Sequence, residues 1–288
     1  MPRWWQDLTD LVLPTDCAGC GTPRTALCSR CRTTLGVLAP RRVRPVPEPP
    51  GLPVVHAVAP YGETVRSMIL AHKERGALPL AGVLGGALAR AVRGGLGAGG
   101  AGGSGCRSGA GAVLLVPMPS ARRAVRARGH DPVRRTALAA ARELRRTGTP
   151  ARVASVLRQR RPVADQAALD GRQRLANLAG ALEVPAGAVR LLDGGRVVVV
   201  DDLMTTGASL AEAARALRAA LGTRLAPVSA EYAARCREGR GERRIGGGPE
   251  GEEWVHDAPG KTAAHVVGEP LRAAVIAAPR DSFEINRN

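Results

Sequence analysis

Aromatic residues are scarce in this chain. Trp, Tyr and Phe make up only 2% of its 288 residues, so a core has to be built from Leu, Val and Ala, which suits helices packed on a parallel sheet. The shortage also leaves few rings on which the bases of a single nucleic-acid strand could stack. Lysine is nearly missing: every one of the 42 basic residues except Lys73 and Lys261 is arginine. That bias fits a genome rich in G and C, and it supplies guanidinium forks suited to phosphate oxygens. No apolar run approaches the roughly eighteen residues that would cross a bilayer. The opening "MPRWWQDLTDLVLP" has neither a basic stretch nor a sustained apolar core of the signal-peptide kind. A cytoplasmic protein without a membrane span is therefore expected, and Trp4, Trp5, Leu8, Leu11 and Val12 are expected to form a short amphipathic helix docked on the protein itself.

What is present is positive charge, unevenly spread. The formal net charge is +17. Residues 121–161 hold thirteen arginines against Asp131 and Glu143, whereas residues 237–288 are close to neutral. A basic excess confined to the first 236 residues points to phosphorylated ligands or nucleic acid.

Four of the six cysteines, Cys17, Cys20, Cys28 and Cys31, form two C-x-x-C knuckles in "CAGCGTPRTALCSRC". Two such knuckles closing together can surround one structural Zn2+ with four thiolates, leaving no open coordination position for catalysis. Paired disulfides or a redox C-x-x-C are the other readings of the spacing, disfavoured by a cytoplasmic setting and by the lack of a surrounding βαβ pattern. Cys106 and Cys236 are expected to be free thiols.

The chain divides by composition. Residues 1–38 carry the amphipathic segment and the zinc-ribbon-like module, and the proline-rich 39–53 reads as an extended linker. From 54 to 236 strand and helix patterns alternate around a glycine-rich insertion at 94–111, and 237–288 is expected to be a disordered tail. Within 54–236, "VVHAVAPY" and "AVLLVPMPS" read as strands. "GETVRSMILAHKERG" places Val65, Met68, Ile69 and His72 on one helical face. "LPLAGVLGGALARAV" does the same with Leu80, Val83, Leu84, Ala87, Leu88 and Ala91. Asp131 and Pro132 mark a helix start, Val133, Ala137, Ala141 and Leu144 make its apolar stripe, and Gly148 marks its end.

One stretch concentrates the chemistry. "VVVVDDLMTTGASL", Val197 to Leu210, runs from a buried strand through two carboxylates and a Thr/Gly/Ser turn into an alanine-rich helix. Backbone amides and a helix dipole converge at such a turn, and Thr205, Thr206 and Ser209 add hydroxyls, which makes an anion cradle sized for a monophosphate. The turn has neither the lysine of a G-x-x-x-x-G-K-[ST] loop nor G-x-G-x-x-G spacing, so it does not indicate a triphosphate or dinucleotide site. Asp201 and Asp202 stand just before it, and sugar hydroxyls or a divalent metal would satisfy them; a solvated acidic strand end is the plainer alternative. Ser209 and Glu212 have the S-x-x-E spacing of a capping box.

"VVVVDDLMTTGAS" resembles the 5-phosphoribosyl 1-pyrophosphate (PRPP) signature of type I phosphoribosyltransferases. Together with the four-cysteine motif, "PYGETVRSMILAHKERG", "VPMPSARRAVRARGHDP" and "RQRRPVADQAALDGRQRLANLAGAL", it makes the chain similar to the ComF-type competence family over roughly residues 10–236. The resemblance implies a type I phosphoribosyltransferase-like parallel sheet with helices on both faces, preceded by the zinc module. It implies that Asp201 and Asp202 accept hydrogen bonds from the ribose hydroxyls, and that Thr205, Thr206, Gly207, Ala208 and Ser209 hold the 5-phosphate. Ser120, with Arg122 or Arg123, would lie near the leaving pyrophosphate, and Mg2+ would be carried mainly by the oxygens of PRPP. Arg128, Gln166, Arg174 and Asn177 would belong to the flexible region over the site, with Arg128 joining Asp201 and Asp202 as a catalytic residue. His130 stands where relatives often carry an aromatic residue; it is a candidate general base, or a residue that packs beside the helix start. The implied activity is phosphoribosyl transfer from PRPP to an acceptor. Two alternatives are a non-catalytic accessory protein handling single-stranded DNA with the competence machinery, and a PRPP-sensing regulator.

Overall fold

The computed structural model describes residues 16–97, 111–161, 171–225 and 271–283. The expected N-terminal helix, Cys106, Gln166 and Cys236 lie outside these residues. A short helix α1 (Ser29–Gly36) follows the first cysteines, with the Cys28 thiol accepting from the amide of Cys31 at its start. β1 (Arg41–Val43) and β2 (Val54–Pro60) pair antiparallel at one sheet edge. α2 (Glu63–Glu74) and α3 (Leu80–Leu96) come next, then β3 (Ala112–Pro117). α4 (Arg122–Arg128), α5 (Pro132–Arg146) and β4 (Ala151–Val153) follow. A two-stranded ribbon of β5 (Arg158–Gln159) and β6 (Leu182–Glu183) brackets α6 (Gly171–Leu178). β7 (Gly195–Leu203) leads into α7 (Ala208–Leu225), and β8 (Arg272–Ala278) completes the described sheet.

The main sheet has six strands in the order β1-β2-β8-β7-β3-β4, parallel except for the β1–β2 pair. The fold is thus mixed α/β, a mostly parallel sheet flanked by helices. Its two faces sort by the alternation of strand side chains. Val198 and Val200 of β7 turn towards α2, α3 and α5, where Met68, Leu84, Leu88, Ala141 and Leu144 are buried. Val199 turns the other way, towards Leu210, Ala213 and Leu217 of α7. The helical stripes anticipated for α2 and α5 are the buried ones, as is that of α3 apart from Val83, which is only partly covered. Alanine fills the positions that aromatic rings would otherwise occupy, so helices and sheet approach closely.

Three expected boundaries do not hold. Residues 272–278 are no disordered tail: "RAAVIAA" pairs with β2 on one side and β7 on the other, and Val275 to Ala278 are fully buried. The charged, glycine-rich stretch before it gives no hint of this, because a seven-residue strand is specified by its neighbours in the sheet. The segment 39–53 is more than a linker. It contributes β1, and the Arg44 amide bonds to Ser282 O, tying it to the end of the chain. Nor does the insertion begin at 94, since α3 continues to Leu96. The cysteine module is likewise not a separate body: Cys17, Leu27, Cys31 and Leu35 belong to the same apolar cluster as Leu84 and Leu88.

Because β8 is central, ending the chain at residue 270 should abolish folding rather than trim a tail. The expected result is loss of cooperative thermal unfolding by circular dichroism, where a dispensable tail would leave the transition unchanged.

Candidate functional site

The two knuckles meet. The Sγ atoms of Cys17, Cys20, Cys28 and Cys31 all lie within 4.8 Å of one another, and the four thiols are free of disulfides. Tetrahedral Zn–S bonds of about 2.3 Å would set the sulfurs about 3.8 Å apart, and Cys20 and Cys28 already stand at 3.6 Å. The Cys28 amide points at the Cys17 sulfur at 3.3 Å. Burial opposes ionisation of Cys17, but amides from Cys28, Cys20 and Gly19 hold its thiol below the ordinary value. Thr22 brings the exposed Cys20 down to about 6. Burial and three neighbouring thiols push Cys31 up. Gly19 has no substitute here, because a Cβ would sit 2.8 Å from the Cys31 sulfur. The cluster could hold a metal ion such as zinc, and four thiolates with no open position suit a structural ion.

The second group of candidates gathers at the carboxyl ends of β3 and β7. The chain leaves β3 through α5 towards β4 on one side, and leaves β7 through α7 on the opposite face. Ligands of open α/β sheets bind at such a reversal. Met118 N donates to Val200 O, and Met204 N to Ala277 O, so the loop after β3 and the turn after β7 are fastened to the sheet end.

Asp201 and Asp202 are the last polar residues of β7, and strand alternation sends them to opposite faces. Asp202 is buried, and its Oδ2 lies 3.2 Å from Lys73 Nζ at the end of α2. Asp201 keeps some accessible surface, but its carboxyl is enclosed by protein, and Oδ1 accepts from the Asp202 amide at 2.8 Å. Desolvation and the neighbouring Asp202 charge push the Asp201 carboxyl up to about 8, against the pull of Lys73. Burial disfavours the Lys73 charge, yet Asp202 and then Asp201 keep its ammonium above its ordinary range.

The turn from Thr205 to Ser209 is compact. Thr205 is exposed, Thr206 and Ser209 are partly exposed, and Gly207 and Ala208 are buried. Gly207 sits at φ +76°, and a Cβ there would come within 3.3 Å of Leu52 and Pro45, so the proline-rich segment lies directly against the turn. α7 begins at Ala208, and its first amides have no partner within the helix. The expected capping box does not form. Ser209 is already inside the helix, and Glu212 accepts instead from the Leu182 amide at 3.0 Å and from Arg215 at 2.7 Å, clamping β6 to α7.

The remaining expected residues are engaged with one another. Ser120 Oγ donates to Asp131 at 3.2 Å, and Asp131 caps α5 through the Arg134 amide as anticipated. Arg128 makes two hydrogen bonds to Glu74, at 2.9 and 2.7 Å. His130 places its two ring nitrogens 3.1 Å from Arg128 O and 3.2 Å from His72 O, the environment of a packing residue rather than of a free base. Arg122 and Arg123 are exposed on α4. Asn177 lies in α6, where its carbonyl accepts from Arg161, and the Arg174 side chain lies outside the described residues. A cavity of about 590 Å³ lies along α7, lined by Gly51, Glu212 and Arg218 among others, and touches none of the expected ligand residues.

Sequence reasoning passed over the last turn of α2. His72, Lys73 and Glu74 reach in succession to Pro132 O, Asp202 and Arg128. The signal was available, since Lys73 is a lone lysine among arginines for the first 260 residues.

Compared with protein-family models and with curated proteins, the chain matches none.

Two outcomes are expected. Bound zinc measured by atomic emission should fall from one per chain to none on replacing Cys17 and Cys20 by Ser. The second concerns Asp201, whose native carboxyl binds a proton that the unfolded chain releases above about pH 4, so stability should fall as pH rises from about 4 to 8. Asp201→Asn keeps the acceptor oxygen and removes that loss. Its melting temperature should exceed that of the wild type at pH 8.5 by at least about 2 °C and match it near pH 4.

Proposed function

We propose that the carboxyl end of β7 is a PRPP site and that the chain is a phosphoribosyltransferase-like protein of the ComF type. The observation that carries this reading is one stretch of backbone in which an acidic pair, partly exposed Asp201 and buried Asp202, passes directly into a glycine-kinked turn at a helix start. That turn lies at the sheet's reversal point. The spacing lets a sugar's hydroxyls meet the carboxylates while its phosphate meets the amides of Gly207, Ala208 and Ser209.

In this reading each group has a limited task. Asp202, beside Lys73, accepts from one ribose hydroxyl, and Asp201 exchanges a hydrogen bond with the other. Thr205, Thr206 and Ser209 add hydroxyl donors to the 5-phosphate. Ser120 stands after β3, where a pyrophosphate would leave. Arg128 turns to that pyrophosphate by exchanging the Glu74 carboxylate for phosphate oxygens of the same geometry. Mg2+ brought in on the oxygens of PRPP would neutralise charge as the anomeric bond breaks, and the oxocarbenium-like state would be stabilised mainly by fixed dipoles and cations. The four-cysteine module, sharing its core with α3, acts as a structural buttress.

Exposed Arg122, Arg123 and Arg126 on α4 also suit the phosphate backbone of a nucleic acid. Titration calorimetry with PRPP and Mg2+ tests the main reading, with a single-stranded oligonucleotide as the parallel ligand. Micromolar PRPP binding, lost when Asp201 and Asp202 are both replaced by Asn, is the expected result. No PRPP binding, or binding that survives the double substitution, would overturn the assignment, and salt-sensitive oligonucleotide binding alone would favour the accessory role.

A further inference from the structure

Two adjacent carboxylates at a strand end ordinarily invite a divalent cation or a pair of hydroxyl donors. Here a third group is in place already. Lys73 reaches across from the last turn of α2 to set Nζ 3.2 Å from Asp202 Oδ2. The Asp202 side chain keeps 11% of its surface and that of Lys73 36%, so the carboxylate is more enclosed than the ammonium. A second positive charge, Arg128, is held next to it by Glu74 and is close enough to be felt by the Lys73 ammonium.

We infer that Lys73 is an internal counter-ion that bars a free divalent cation from the Asp201–Asp202 pair and reserves the pair for neutral hydrogen-bond donors such as the vicinal hydroxyls of a sugar. The sugar class rests on the reading above; the exclusion of the cation rests on the geometry alone. The consequence is selectivity. Metal enters the site only on the phosphate oxygens of a ligand, and a bare cation cannot occupy the ribose position. Lysine suits this role better than arginine, because a compact ammonium on a flexible stem neutralises one oxygen without clamping both.

The test uses the zinc-loaded, full-length protein at pH 7 with Mn2+ alone, bound metal being counted by electron paramagnetic resonance. The wild type should show no stoichiometric submillimolar site. Lys73→Gln should acquire one, at least about tenfold tighter than anything in the wild type. Lys73→Arg should keep the exclusion, and adding Asp202→Asn to Lys73→Gln should remove the new site. Thermal melts establish that each variant is folded, and Lys73→Met replaces the Gln variant if that one is not. Equal Mn2+ binding by wild type and Lys73→Gln, strong or absent in both, overturns the inference. PRPP takes no part in this measurement, so a failure of the sugar-phosphate reading would appear in the calorimetry and leave the Mn2+ result standing.

Discussion

The arrangement depends on β7 being paired on both sides. β3 and β8 hold it in register along its apolar half, and β8 alone carries the pairing past Val200 to Asp201 and Leu203. Carboxylates would not otherwise be tolerated so deep in a sheet. The Asp202 amide donates to Asp201, and Lys73 supplies the charge opposite Asp202. From this fixed edge the turn at Gly207 packs against Leu52 and Pro45, and the start of α7 buries Leu210 against the sheet.

α2 is the second organising element. Its buried stripe anchors it to the sheet, and its last turn spreads three consecutive residues over three different segments. One short turn therefore couples the acidic pair to the end of α4, which carries Arg128. The Arg128 charge, held by Glu74, is also felt by Lys73. The proline-rich segment does a comparable job on the other side, closing over Gly207 so tightly that a side chain there has no room.

The scarcity of aromatic residues leaves a recognisable mark on this design. Small side chains allow close approach of α3, α5 and the sheet, and among the described residues only Tyr61, after β2, and Phe283, beyond β8, bring aromatic rings to the ends of the strands. Polar contacts tie down other segments. Glu212 and Arg215 fasten β6 to α7, and Arg218 donates to Gly51 O to fasten the proline-rich segment. Several of these contacts join residues about thirty or more positions apart in the chain, which is why an S-x-x-E spacing that looks like a local cap turned out to serve a distant strand.

By itself the sequence determined what depends on near neighbours. The cysteine knuckles, the Asp131 cap, the helical stripes of α2 and α5, and the strand-turn-helix order of residues 197–210 all follow from short spacings, where backbone geometry alone decides who meets whom. Only the tertiary structure decided that residues 272–278 belong at the sheet's centre, that Lys73 faces Asp202, and that Arg128 is held by Glu74. Those pairings close loops of many residues, and no local pattern encodes them. They exist because burying the sheet on both faces brings distant carboxylates and cations to one edge, where each must find an opposite charge.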